Sequence, residues 1–285
     1  MIYLDNAAGS SPKAPGLGKT IAQALDCGAA NINRAVNAAA AHMEIDIIGI
    51  RERIAAFFAC PDPRYLIFTS GVTMSLNMII KGLLLPGDHL LISGMEHNAV
   101  WRPARQMQAA GVALDVAPCD VQGRLKLEDL EKLFRPETKL MLLCHASNVC
   151  GTIQDAAAVA KLCHAHGVPL VLDCAQTAGH IPLDMQALGV DAICFTGHKG
   201  LLGPQGSGGI AFLPELAERI EPLIAGGTGS RSDSGDMPPF FPDHLEAGTM
   251  NIPGILGLGH SLSFVQAQGL ESLFRHEMEL TRLLL

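Results

Sequence analysis

Residues 139–176 read KLMLLCHASNVCGTIQDAAAVAKLCHAHGVPLVLDCAQ. An apolar run without alternation, a stretch of helical periodicity from Asp155 to Gly167, and a second apolar run ending on Asp173 make one strand–helix–strand unit. Strands that are apolar on both faces need cover on both sides, the condition of a parallel sheet between helical layers. The alternation extends in both directions. Upstream lie YLIFTS (65–70), a helical pattern from about Thr73 to Leu85, HLLIS (89–93), a helix after Glu96, VALDVAP (112–118) and LEDLEKLF (127–134). Downstream follow LDMQALG (183–189), DAICFTGHK (191–199) and GGIAFL (208–213). The chain is predicted to be an α/β protein.

With 285 residues there is enough chain for one large domain or one large and one partial domain. The opening MIYLDNAAGSSP has neither the basic start nor the apolar run of a signal peptide, and no apolar run is long enough for a bilayer span, so a cytoplasmic protein with no membrane contact is expected. A formal net charge of −8 argues against nucleic-acid binding, which draws on a Lys/Arg surplus. Eight cysteines are scattered without CxxC pairs and read as free, mostly buried thiols, Cys150 and Cys174 among them. The first sixty residues differ from the rest: an extended start, a Pro/Gly/Ser-rich passage, and a helix whose apolar stripe is read through Ile45, Ile48 and Ile54. Residues 226–242 are rich in Gly, Ser, Asp and Pro and read as a loop. GLGKT (16–20) lacks the first glycine and the preceding strand of a phosphate-binding loop. Cys163, His164 and His166 lie at a helix end, where the dipole favours histidine, and lack further ligands at metal-site spacing.

Ligands of open α/β sheets sit beyond the carboxyl ends of the strands. Polar residues that end apolar runs are therefore candidates: Gly71 to Thr73, His97, Asp173 and Gln176, His198 and Lys199. A lysine in a desolvated pocket releases its proton more readily and can condense with an aldehyde as a Schiff base. The helix start at SGVT offers unpaired N–H groups to a phosphate. A buried Asp173 becomes favourable against a protonated ring nitrogen. Lysine, phosphate site and acid together describe pyridoxal 5′-phosphate. The glycines of GLLGPQGSGG (200–209) would let the backbone behind Lys199 turn tightly and approach its neighbours.

Seven stretches, YLDNAA, TSGVTMSLN, MEHNAV, ASNVCGT, LDCAQTAG, FTGHKGLLGPQG and LEAGTMN, stand in this order over nearly the whole chain. Together they resemble the signatures of the class V aminotransferase and cysteine desulfurase family, fold type I pyridoxal phosphate enzymes. The resemblance implies a mostly parallel, mixed seven-stranded sheet flanked by helices. It divides the chain into an N-terminal segment (1–15), a cofactor-binding large domain (16–250) and the start of a small C-terminal domain (251–285). Carried onto matching positions, it implies that Lys199 forms the Schiff base, Asp173 pairs with the pyridinium nitrogen, and Gln176 bonds the phenolic oxygen. His97 would stack on the ring and move protons, Asn148 would lie beside it, and Val72, Thr73, Thr196 and His198 would hold the phosphate. Gly248 and Thr249 would reach the phosphate of a neighbouring subunit, which implies a homodimer.

The motifs lean toward the cysteine desulfurase branch, in which L-cysteine yields L-alanine and a persulfide on an enzyme thiol, with a sulfur-acceptor protein as a further partner. Other class V activities (aminotransferase, epimerase, selenocysteine lyase) and a cofactor-binding protein without turnover are the alternatives. Relatives are expected to run on for roughly another hundred residues, a length compatible with a small domain. That region is expected to supply the persulfide cysteine and an arginine for the substrate carboxylate, and no cysteine here matches it.

Overall fold

The computed structural model describes residues 2–26, 38–231 and 233–284. Cys27 and the rest of 27–37, within the passage that the sequence sets apart, lie outside the described residues. The elements run in the order α1 (Leu17–Asp26), α2 (Ala38–Phe57), β1 (Leu66–Thr69), α3 (Val72–Leu83), β2 (His89–Ser93), α4 (Asn98–Ala109) and β3 (Ala113–Ala117). There follow α5 (Leu127–Glu131), β4 (Thr138–Cys144), α6 (Ala156–Ala165), β5 (Leu170–Asp173), α7 (Met185–Leu188), β6 (Ala192–Thr196), β7 (Gly208–Phe212), α8 (Pro214–Ala217), α9 (Ile252–Gln268) and α10 (Leu270–Leu284).

The seven strands form one sheet in the order β1-β7-β6-β5-β4-β2-β3. β7 pairs antiparallel with both β1 and β6, and the other pairings are parallel. The mixed seven-stranded α/β sheet expected from the sequence is thus the observed one. Successive strand residues feed opposite faces: Leu91, Leu143, Leu172 and Phe195 join one core, and Ile92, Leu142, Val171 and Cys194 the other. This explains why the strands carry no polar alternation. On the first face Ile252, Ile255, Leu258 and Leu262 of α9 complete the same core.

Three local readings are corrected. α3 starts one residue earlier and stops at Leu83, with the extended Leu84 closing its last turn two residues before Pro86. The LEDLEKLF stretch holds a helix of only 5 residues, Leu127–Glu131. On α2 the buried stripe is Ile47, Ile50 and Ile54, while Ile45 and Ile48 are 66% and 47% exposed. Both sets have helical spacing, so the pattern alone left the face ambiguous, and packing against α9 chooses the first.

Register brings the site residues together. Cys144 pairs with Asp173 and Asp173 with Cys194, while Thr69 and Thr196 both pair with Gly208. The carboxyl ends of β1, β4, β5 and β6 therefore open onto one side. At Gly208 an added Cβ would stand 2.5 Å from the Phe195 carbonyl oxygen and 2.7 Å from the Gly71 Cα, so only glycine lets β7 run between the two site-bearing strands.

Candidate active site

Beyond those strand ends lies a cavity of about 670 Å³, a size suited to a small cofactor and its substrate. Its wall includes Val72, Thr73, His97, Asn148, Asp173, Gln176, Thr196, His198 and Lys199. The structure thus gathers nine of the ten residues singled out in the sequence. Thr249 is the exception: it lines a neighbouring apolar cleft of about 230 Å³ with Phe68, Met78 and Leu245.

Asp173 ends β5 and is 3% exposed. Its Oδ1 accepts the Ala175 N–H at 2.9 Å. Burial raises its pKa, against the pull of that N–H and of the Lys199 and His97 charges. Lys199 follows β6 and is half-buried; burial lowers its pKa, which Asp173 partly offsets. The pair is a base and an acid, one partly and one fully buried, that line one chamber and feel each other's charge. A carboxylate buried in this way is stabilised by a cation placed in the cavity.

α3 opens at Gly71, whose φ of 138° lies outside the range of other residues and which supplies no side-chain cap. The Val72 and Thr73 end of a 12-residue helix therefore faces the cavity as a ready anion site. Beside it Thr196 Oγ1 and His198 Nδ1 are 2.8 Å apart. Burial, then the Lys199 and Lys13 charges, lower the His198 pKa and favour its neutral ring. His97 caps α4, its Nδ1 accepting the Ala99 N–H at 3.1 Å, which leaves Nε2 to carry the proton of the neutral ring. Gln176 Nε2 donates to the Ala7 carbonyl at 3.0 Å, keeping its own oxygen as an acceptor.

The sequence reading missed several participants. Asp5, Ala7, Ala8, Ser70 and Gln205 also line the cavity. Glu96, quoted within MEHNAV but given no role, turns its carboxyl inward: Oε1 accepts the Ser93 hydroxyl at 2.5 Å and the Cys144 N–H at 2.7 Å. Its Oε2 is buried with no hydrogen-bond partner among the described residues. Burial first, and then the charge of Asp173, push its pKa up to about 8. A buried acid flanked by polar residues has no signature in a single sequence.

The profile of the aminotransferase class-V family matches residues 2–285. The chain belongs to that family. A cysteine desulfurase of Escherichia coli O157:H7 is 35% identical over 289 residues, covering 98% of this chain and 70% of the relative. The apo cysteine desulfurase of Thermococcus onnurineus NA1 superposes with a TM-score of 0.91 at 28% identity, over 99% of this chain and 71% of that one. A C-DES variant with glycine covalently linked to its PLP cofactor shares the fold, with a TM-score of 0.84 at 24% identity over 96% of this chain and 73% of that one. Among the described residues no helix is long and apolar enough to cross a membrane.

Several further cysteines and histidines among the described residues have ordinary places, with one correction. Cys174 is buried, as read, but Cys150 is exposed. Hydrogen bonds with Thr152 and Ser147 lower its thiol pKa to about 7. It stands in the turn at 148–150, after β4 has ended, with its Sγ 3.3 Å from Thr152 Oγ1. His164 pairs with Asp191 at 2.9 Å, and His166 stacks on Phe134 with ring centroids 4.3 Å apart.

Proposed function

We propose that the chain catalyses pyridoxal-phosphate-dependent desulfuration of L-cysteine to L-alanine, passing the sulfur to a thiol. The observation that carries this reading is the single cavity in which the desolvated Lys199 amine and the buried Asp173 carboxylate share walls with an uncapped helix start. The donor set fits the cofactor group by group. The α3 start with Thr196 and His198 would take the phosphate, Asp173 the ring nitrogen, Gln176 the phenolic oxygen and Lys199 the aldehyde, with His97 and Asn148 at the ring.

Bound there, the cofactor supplies an aldehyde for the substrate amine and a ring that draws electrons from the substrate Cα. The protein's own groups do the rest. Asp173, ionised against a cation, fixes the ring's orientation and charge. Lys199, its pKa already lowered by burial, is the base that takes the Cα proton on Nζ and returns it to the substrate carbon. His97 Nε2, on a residue of the cavity wall, holds a second exchangeable proton. The sulfur leaves when an incoming thiolate forms an S–S bond as the substrate C–S bond breaks; the electron pair stays on carbon, which takes up a proton to become alanine.

Cys144 is the one cysteine lining the cavity among the described residues, and it is a poor thiolate: burial, then the Asp173 and Glu96 charges, raise its pKa far above the thiol range. In this reading the receiving thiol therefore comes from outside the cavity wall described here, and a sulfur-acceptor protein takes it onward. The homodimer, with Thr249 turned to a neighbour's phosphate, and a cytoplasmic setting belong to the same reading; a small domain would begin after α9, whose apolar residues are part of the large-domain core, and not at residue 251.

The test is turnover. The cofactor-loaded chain is incubated with L-cysteine and a thiol reductant, and alanine and sulfide are measured. Equal yields of the two support the proposal. Turnover of another amino acid with no alanine from cysteine would assign the site to a different class V reaction.

A further inference from the structure

The N-terminal segment lines part of the cavity and then converges on one atom. The carbonyl oxygen of His198 belongs to the peptide that joins it to Lys199. It accepts the Ser10 N–H at 3.0 Å, the Ser10 hydroxyl at 3.1 Å and the Lys13 ammonium at 2.7 Å. Lys13 Nζ is also 3.0 Å from Ser10 Oγ. The same segment continues to Ala14, whose N–H donates to the Leu202 carbonyl at 3.0 Å. Upstream, Ala7 receives Gln176, and Asp5, Ala7 and Ala8 line the cavity.

The Lys13 ammonium is an unusual choice for this position. It is partly buried, burial lowers its pKa, and among the described residues it has no ion pair with a carboxylate. Long cationic side chains ordinarily place their heads in water. Here the charge is turned inward onto neutral acceptors, and the shortest of the three contacts on the His198 carbonyl is the charged one, the stronger type of hydrogen bond. An acceptor with two lone pairs that holds three donors leaves its peptide plane little freedom. That plane sets the direction of the Lys199 Cα–Cβ bond, and through it where Nζ stands in the cavity.

We propose that Lys13 is a positioning residue for Lys199: from the N-terminal segment its ammonium clamps the His198–Lys199 peptide and so presents the amine for its covalent bond to the cofactor. This rests on the reading of Lys199 given above. The clamp acts on the geometry of the His198–Lys199 peptide, whereas the α3 start and the Thr196 hydroxyl, which share the phosphate with His198 in this reading, stand on other elements. Its removal therefore changes the share of bound cofactor that becomes linked, more than the amount bound.

The experiment compares the full chain with K13M, K13Q, K13R and K199A, each stripped of cofactor and reloaded with pyridoxal phosphate. Total bound cofactor is measured by ultrafiltration, and linked cofactor by borohydride reduction and intact mass. K13M and K13Q are expected to lower the ratio of linked to noncovalently bound cofactor, obtained by subtraction, about 10-fold, the scale of one charge-assisted hydrogen bond, with K13R restoring it to within about 2-fold of wild type. A wild-type ratio in either folded neutral variant overturns the proposal. So does a parallel fall of bound and linked cofactor, the mark of a merely structural lysine. K199A separates this from the reading beneath it: if that variant still links the cofactor, the assignment of Lys199 itself is wrong.

Discussion

Replacing Glu96 by glutamine should make the protein less sensitive to alkaline pH. Glu96 has a reference value of 4.5 and is pushed up to about 8 in the folded protein by burial and the neighbouring Asp173 charge. Between those values the folded protein holds a proton that the unfolded chain has released. Stability therefore falls as pH rises through this window and levels off above about 8. The slope approaches about 1.4 kcal/mol per pH unit, so that from about pH 6 to about pH 8 the loss from this one group is roughly 2 kcal/mol. Glutamine keeps an oxygen for the Ser93 hydroxyl and the Cys144 N–H but cannot ionise. Urea unfolding of the cofactor-free wild type and Glu96→Gln at both pH values isolates the Glu96 contribution, because all other titrating groups are common to the pair. The variant should gain roughly 2 kcal/mol on the wild type between the two conditions. Identical pH dependence in the two proteins would refute the reasoning and place the Glu96 carboxyl in contact with water.

Two further outcomes follow from other parts of the molecule. Cys150, exposed and with its thiol lowered to about 7, should react with iodoacetamide near neutral pH at least about 10-fold faster than Cys60, Cys144, Cys163, Cys174 or Cys194, all buried with raised values; peptide mapping after brief labelling checks the order. Arg51 binds Glu246 through both nitrogens at 2.8 and 2.9 Å, and Glu246 Oε1 accepts the Phe68 N–H at 2.7 Å on the edge strand β1. Arg51→Met leaves that carboxylate buried and unpaired and should cost about 3 kcal/mol in urea unfolding, more than the double variant with Glu246→Gln.

The sheet and most of the cavity were legible because they obey local rules. Strands buried on both faces must be apolar throughout, and residues that terminate such strands, Asp173 and Lys199 above all, must face the carboxyl edge. What stayed hidden depends on distance in the chain or on a choice between equal faces. Nothing near Lys13 announces an acceptor 185 residues away. Nothing in α2 distinguishes the Ile47 stripe from the Ile45 stripe before α9 arrives. The inward carboxyl of Glu96 and the outward thiol of Cys150 are decided by how two loops fold over the strand ends, and a single sequence shows the residue types without the burial that sets their chemistry.

The central claim is that the Lys199 amine is the group bonded to the cofactor aldehyde in this cavity. Loading the wild-type chain with pyridoxal phosphate, reducing with borohydride and mapping the modified peptide tests it most directly. The account predicts the label on Lys199 alone. A label on Lys13 or any other lysine, with Lys199 unmodified, would contradict it.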